Sequence, residues 1–194
     1  MNIMKSIRHN LANSAHFSGR ESRAAFWPYV AFVVGIMTVG MMAIMVPMMA
    51  EIFVKMQQFA AAHPDQATVE SGPGTYSITI QGNHPELMPN MTAIVGWFSV
   101  ICMVVVCLLA AAVVRRLHDR GRSGAWGLIP LPFLATGFAL MPKLFSQSVP
   151  DMTMFVGLFF NNLIYLASLG LLIFLLAGEG EKAENRYGPS PTVE

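Results

Sequence analysis

Residues 26–50 read FWPYVAFVVGIMTVGMMAIMVPMMA, a run of 25 without a formal charge. As a helix rising 1.5 Å per residue this run is about 37 Å long, enough to cross a hydrocarbon core of about 30 Å. Residues 91–114 and 154–177 give two further runs of this kind, uniformly apolar rather than amphipathic. A fourth, residues 125–141, is shorter and holds Pro130 and Pro132, but its uncharged window widens to residues 123–142. These runs predict an all-α integral membrane protein with four transmembrane helices, over residues 26–50, 91–114, 125–141 and 154–177.

Composition agrees. Of 194 residues, 54% are hydrophobic and 12% charged, about half the ~25% charge of a soluble domain. So few charges cannot cover a water-facing surface of this size, and the net charge of +1 gives no reason to expect nucleic acid as a partner. Cys102 and Cys107 lie within the second span on different helix faces, so they cannot pair with each other. The first apolar run starts too late, and runs too long, for a cleaved signal peptide; we read it as an uncleaved anchor.

Orientation follows from Lys and Arg, which resist translocation. Lys5, Arg8, Arg20 and Arg23 precede the first span, and Arg115, Arg116, Arg120 and Arg122 follow the second. Residues 51–90 contain only Lys55, residues 142–153 only Lys143, and the tail, residues 178–194, Lys182 and Arg186. Four spans put both termini in the cytoplasm. If the Pro-containing third segment dipped in and returned, the tail would lie outside, so the rule fixes the N-terminus better than the tail.

Three polar signatures fall on the cytoplasmic side. Ser18-x-x-Glu21 has capping-box spacing and predicts a helix starting near Ser18, with Arg20 and Arg23 on one face. These arginines serve as a topogenic anchor or bind an anion such as a lipid phosphate or a partner's carboxylate. After the second span, Arg115-Arg116-Leu117-His118-Asp119-Arg120-Gly121-Arg122-Ser123 reads as a tight hairpin: Arg115 and Asp119 as i,i+4 partners, Gly121 in a left-handed cap, and Ser123 capping the next helix. Retention signals need no carboxylate, so we expect Asp119 to pair with Arg20 or Arg23. His118 beside Asp119 is the only hint of lipid-phosphate chemistry, a weak one, since neighbours on a helix point about 100° apart and no nucleophile is near. In the tail, Arg186 and Tyr187 either belong to a disordered end or fold back under the hairpin.

These signatures, Phe17-x-Gly19-Arg20-x-x-Arg23-x-x-Phe26-Trp27, Arg115-Arg116-Leu117-His118-Asp119-x-Gly121-x-Ser123-Gly124-x-Trp126 and Asn185-Arg186-Tyr187-Gly188-Pro189-x-Pro191, resemble those of the bacterial inner-membrane family of unknown function DUF805, the YhaH/YhaI-like proteins. The resemblance covers residues 17–191 as one membrane domain. It implies a four-helix inner-membrane protein and brings no activity and no catalytic residues. The chain departs from the family pattern in its 40-residue connection between the first two spans, in Ala125 and in Ser190.

In the external loop, residues 51–90, two alternating stretches flank Ser71-Gly72-Pro73-Gly74 and predict a small β-hairpin with a four-residue loop. Residues 51–62 extend the first helix outward. Met41, Met45, Met48 and Met49 form a stripe with the thioethers of a Cu(I) path, but Met is also a packing residue, and we expect neither metal nor cofactor. Asn161 and Asn162 are adjacent amides inside the fourth span; at least one must hydrogen-bond another helix. The resulting expectation is a non-enzymatic binding or scaffold module. Its arginine-rich face, Arg20, Arg23, Arg115, Arg116, His118, Asp119, Arg120, Arg122 and Arg186, would meet anionic membrane lipid, a protein partner or a second copy. The alternative is a small transporter or channel subunit lined by Asn161, Asn162 and the Pro-containing helix, although no span holds the formal charge that ion coupling usually requires.

Overall fold

The computed structural model describes residues 2–82, 84–145 and 151–191. Its helices are α1 (Ile3–Ala12), α2 (Arg23–Ala62), α3 (Met91–Asp119), α4 (Leu131–Phe145) and α5 (Met152–Ala177). Strands β1 (Ala67–Gly72) and β2 (Thr75–Ile80) and two 3-10 turns, Pro85–Leu87 and Gly124–Leu128, complete the set. Among the described residues, four helical stretches are long and apolar enough to cross a membrane: Arg23–Ala62, Pro85–Asp119, Gly124–Phe145 and Met152–Ala177. These correspond to the four predicted spans. Part of the connection between the last two, residues 146–150, and the final residues 192–194 of the tail lie outside the described residues.

The chain divides into two compact units. In the first, Met1–Thr38 with Thr92–Glu194, the core is Phe26, Tyr29 and Val33 of α2, Ala112 and Leu117 of α3, and Leu172, Leu175 and Leu176 of α5. This core gathers at the polar ends of the helices, and the Tyr29 hydroxyl donates to the Leu108 carbonyl at 3.0 Å, joining α2 to α3. Further along the helices, Val100, Met103, Phe159, Phe160 and Leu166 stand exposed; such apolar flanks suit hydrocarbon as their solvent. The third span begins as a 3-10 turn capped by Ser123, whose hydroxyl accepts from Ala125 N–H at 3.3 Å, and continues as α4 beyond Pro130. Asn161 donates to the Phe133 carbonyl at 2.9 Å, tying α5 to α4, while Asn162 is exposed.

In the second unit, Val39–Met91, α2 runs on to Ala62 as expected. The hairpin is also present, but its turn is tighter than predicted: Gly72 pairs with Thr75, leaving Pro73-Gly74 as the turn, with Gly74 at φ +79°. A two-residue turn of this kind needs a residue that tolerates positive φ, and glycine does so without penalty. Tyr76 packs edge-on to Phe53 at 5.7 Å, and Phe59 contacts the rings of both His63 and His84. A lone hairpin is marginal in water, and these rings anchor it to the helix.

The predicted helix start near Ser18 is corrected. α2 begins at Arg23 and is capped by Ser22, whose hydroxyl accepts from Ala25 N–H at 3.3 Å. Gly19 takes φ +87° and breaks the chain ahead of it, and Glu21 is drawn to a distant arginine instead of closing a capping box. The predicted Arg115–Asp119 pair does not form either, because each residue has a stronger partner from another segment.

Candidate functional site

The polar ends of α2, α3 and α5 carry a network of buried arginines. Arg115 sits one turn from the end of α3 with its side chain 5% exposed, and its Nε donates to Glu21 Oε2 at 2.8 Å. Its Nη2 donates to Asn10 Oδ1 at 2.7 Å, and its Nη1 to the carbonyls of Asn13 and His16. One guanidinium therefore fastens α1, the loop after it and the start of α2. A fork of five fixed donors suits such convergence; a lysine could not satisfy it.

Arg116, fully buried, points to the other side. Its Nε donates to the Leu176 carbonyl at 3.0 Å, its Nη2 to the Gly178 carbonyl and its Nη1 to Asp119 Oδ2. Arg120 donates to the carbonyls of Leu175 at 2.6 Å and Phe174 at 3.3 Å. The last carbonyls of a helix lack partners within it and carry a partial negative charge; here Arg116 of α3 and Arg120 just after it supply both the missing donors and the opposing charge for α5.

Asp119 is the hub. Its Oδ1 accepts from Arg20 Nε at 3.1 Å and lies 3.0 Å from Arg20 Nη2, while Oδ2 receives Arg116. Arg20, the expected partner, fills the role; Arg23 does not. Arg20 Nη1 also donates to Ala183 O at 2.8 Å and Gly188 O at 3.2 Å, and its Nη2 donates to Glu181 O. The Asp119 carbonyl in turn accepts from Glu181 N–H at 2.8 Å. Burying a charge is costly unless it is paired and hydrogen-bonded, and no buried side-chain nitrogen or oxygen lacks a partner among the described residues.

Of the two readings open for the tail, a disordered end and a fold-back under the hairpin, the described residues take the second. Asn185 and Gly188 close a tight turn through reciprocal backbone bonds, with Gly188 at φ +119°. Tyr187 stacks flat on His118, ring centroids 3.8 Å apart, and Asn185 donates to the His118 carbonyl at 3.0 Å. His118 Nδ1 donates to the Gly19 carbonyl at 3.2 Å, so the ring is held between loop and tail. Space constrains the tail too. A Cβ at Gly178 would overlap the Arg120 guanidinium, and one at Gly180 the Asp119 carboxylate. Gly121, at φ +65°, ends α3 in a Schellman arrangement: Arg122 N–H to Leu117 O and Gly121 N–H to His118 O, both 3.0 Å.

The nine residues singled out from sequence therefore do not form one open face. Arg20, Arg115, Arg116, Arg120, His118 and Asp119 are engaged within the chain. Arg23, Arg122 and Arg186 are exposed at the rim. Arg122 lies over Trp126 at 5.8 Å and Arg186 over Tyr187 at 4.7 Å, with Arg186 Nη2 also donating to the Gly121 carbonyl at 3.5 Å; a ring face supports a cation without consuming its donors. Arg23 borders a cleft of about 380 Å3 whose walls also include Lys182, Glu179 and Glu181. Sequence reasoning missed Asn10 and the role of Glu21, which complete the Arg115 site. The signal available was the helical spacing of Ser6 and Asn10, which places two small polar side chains on one arc of the N-terminal stretch. Among the described residues, no three His, Cys, Asp or Glu side chains cluster as a metal site.

The profile of a family described as "Protein of unknown function (DUF805)" matches residues 14–189. Two curated relatives, each named "Uncharacterized protein YiiR", from Escherichia coli strain K12 and from Escherichia coli O157:H7, are 40% identical over 89 residues. The match covers 43% of this chain and 54% of theirs, so the chain spans about half the length of the curated relatives it matches. No solved structure matches.

Proposed function

We propose, for a chain that belongs to the DUF805 family of proteins of unknown function, that it is a binding scaffold of the bacterial inner membrane whose cytoplasmic cap holds anionic lipid headgroups. The four long apolar helices make it a multi-pass membrane protein. The observation that carries the proposal is the division of labour among its arginines: Arg20, Arg115, Arg116 and Arg120 lock the N-terminal segment, the α3–α4 hairpin and the tail together, and Arg23, Arg122 and Arg186 are left at the rim. Guanidinium donors beside Trp126 and Tyr187 fit a phosphate at the boundary of water and lipid.

His118 and Asp119 are each occupied by structural contacts, which supports a non-catalytic cap. Asn161 is spent on the Phe133 carbonyl, and the cavity of about 410 Å3 beside α4, lined by residues such as Val100, Met103, Val106 and Phe138, is apolar. Both favour a scaffold over a transporter or channel subunit.

The test is native mass spectrometry of protein released from nanodiscs of phosphatidylethanolamine and phosphatidylglycerol. The combined variant Arg23→Gln, Arg122→Gln, Arg186→Gln is expected to lose retained phosphatidylglycerol with its melting temperature unchanged. Equal retention refutes the reading; loss of a co-purifying protein instead of lipid assigns the rim to a protein partner.

A further inference from the structure

Helix α1 (Ile3–Ala12) is amphipathic in an unusual sense. The side it turns to the rest of the protein is polar: Ser6 and Asn10 are 0% and 1% exposed. Ser6 Oγ donates to the Ala25 carbonyl, Asn10 Nδ2 donates to the same carbonyl at 3.3 Å and to Glu21 Oε1 at 3.3 Å, and Arg115 reaches Asn10 from α3. The apolar side chains face outward, with Ile3 63%, Met4 71% and Leu11 43% exposed and Ile7 half-buried. At about 100° per residue, Ile3, Ile7, Leu11 and Met4 occupy one arc about 100° wide, adjoining the arc of Ser6 and Asn10. The remaining arc holds Lys5, Arg8 and His9. No acidic residue occurs in the helix.

The height of this helix is fixed by its contacts. Ala25, which receives both Ser6 and Asn10, immediately precedes the charge-free run that starts at Phe26. α1 thus lies level with the entry of the first span, where headgroups give way to acyl chains. An apolar arc in water at that level would be a standing cost, whereas a helix with one arc on protein, one apolar arc and one basic arc fits the boundary of an anionic bilayer.

The geometry points to α1 as an in-plane membrane helix, with Ile3, Met4, Ile7 and Leu11 sunk to the acyl boundary and Lys5 and Arg8 directed to anionic headgroups. This inference needs only the membrane-spanning architecture and is independent of the rim arginines. α1 precedes the residues matched by the family profile.

The test places nitroxide labels through Met4→Cys, Leu11→Cys and Ala12→Cys, one at a time, in full-length protein carrying Cys102→Ser and Cys107→Ser, reconstituted with phosphatidylethanolamine and phosphatidylglycerol. Labels at positions 4 and 11 are expected to collide with oxygen in preference to a water-soluble nickel chelate, at a depth of about 5–10 Å, and the label at position 12 to show the reverse. Arg8→Gln, or replacement of the lipid by phosphatidylcholine, should bring the first two labels closer to water. Equal nickel access at all three positions overturns the assignment. So does magnetic broadening between labels on separate chains, which would give the face to a second copy; a depth indifferent to both charge changes removes the anionic component. Photolabelling of the unsubstituted protein from an acyl-chain carbene, traced to the Ile3–Ala12 peptide, checks the placement without any variant; its failure there counts against it equally.

Discussion

Arg20 and Asp119, 99 residues apart in sequence, face each other with Nη2 3.0 Å from Oδ1, both side chains almost wholly buried. Asp119 shares its second oxygen with Arg116, so a single carboxylate bridges two guanidinium groups from different segments. Its loss would strand both.

Asp119→Asn is therefore expected to destabilise the protein by about 3–5 kcal/mol, the usual cost of leaving a buried charge unpaired. Arg20→Gln should cost less, because Asp119 keeps Arg116. The reciprocal exchange of Arg20→Asp with Asp119→Arg should fail to restore stability, since it sets a second cation against Arg116. Unfolding of the purified variants in nanodiscs, arranged as a double-mutant cycle, measures all three.

Glu21 is the equivalent counter-ion on the other side, 1% exposed and bonded to Arg115. Glu21→Gln should cost about 3–5 kcal/mol for the same reason and should release α1, because the Arg115 guanidinium that holds Asn10 loses its counter-ion. Trypsin cleavage within α1, after Lys5 and Arg8, expected to be slow in the parent and fast in the variant, reports that release. Unchanged cleavage would show that Asn10 and Ser6 hold α1 without Glu21.

Gly180→Ala and Gly178→Ala should loosen the tail, because each new Cβ would enter space held by Asp119 or Arg120. Forcing an atom into a packed site costs about 1–3 kcal/mol. Gly170→Ala, within α5, meets nothing within 4 Å and should be neutral or stabilising by about 0.5–1 kcal/mol through helix propensity. Faster trypsin cleavage after Arg186 in the first two variants, and not in the third, is the expected pattern.

Asn161→Leu should weaken the association of α4 with α5 by about 0.6 kcal/mol, the average for interhelical hydrogen bonds in membranes, whereas Asn162→Leu should have no effect. Thermal unfolding in nanodiscs distinguishes them. Equal effects would mean that the amides act through something other than the Phe133 carbonyl.

The spans were legible because lipid imposes a rule that needs no tertiary knowledge: a segment crossing it must run about 20 residues without charge and satisfy its own backbone. The hairpin was legible from alternation and Pro73-Gly74. Boundaries set by distant contacts were not. Ser18-x-x-Glu21 has the spacing of a capping box, but Arg115 draws Glu21 away across 94 residues. The spacing of Arg115 and Asp119 satisfies the helical rule equally well, yet Arg115 is claimed by Glu21 and Asp119 by Arg20 and Arg116. In sequence, Arg116 and Arg122 look alike; only the carbonyls of Leu176 and Gly178 beside one of them make it internal. α1 escaped notice because its polar face, rather than its apolar one, is the packed one, an inversion that makes sense only beside a membrane.

Arg20 and Arg116 hold the tail almost entirely by main-chain oxygens, those of Gly178, Glu181, Ala183 and Gly188. Every residue carries such an oxygen. These two arginines therefore read the course of the tail rather than its spelling, which is left to Asn185 and Tyr187 at His118, and exposed side chains such as Lys182 and Glu184 are free to drift. A tail grafted from a divergent homologue should seat correctly provided its glycines and the residues at positions 185 and 187 are kept in register, which makes this segment an exchangeable part.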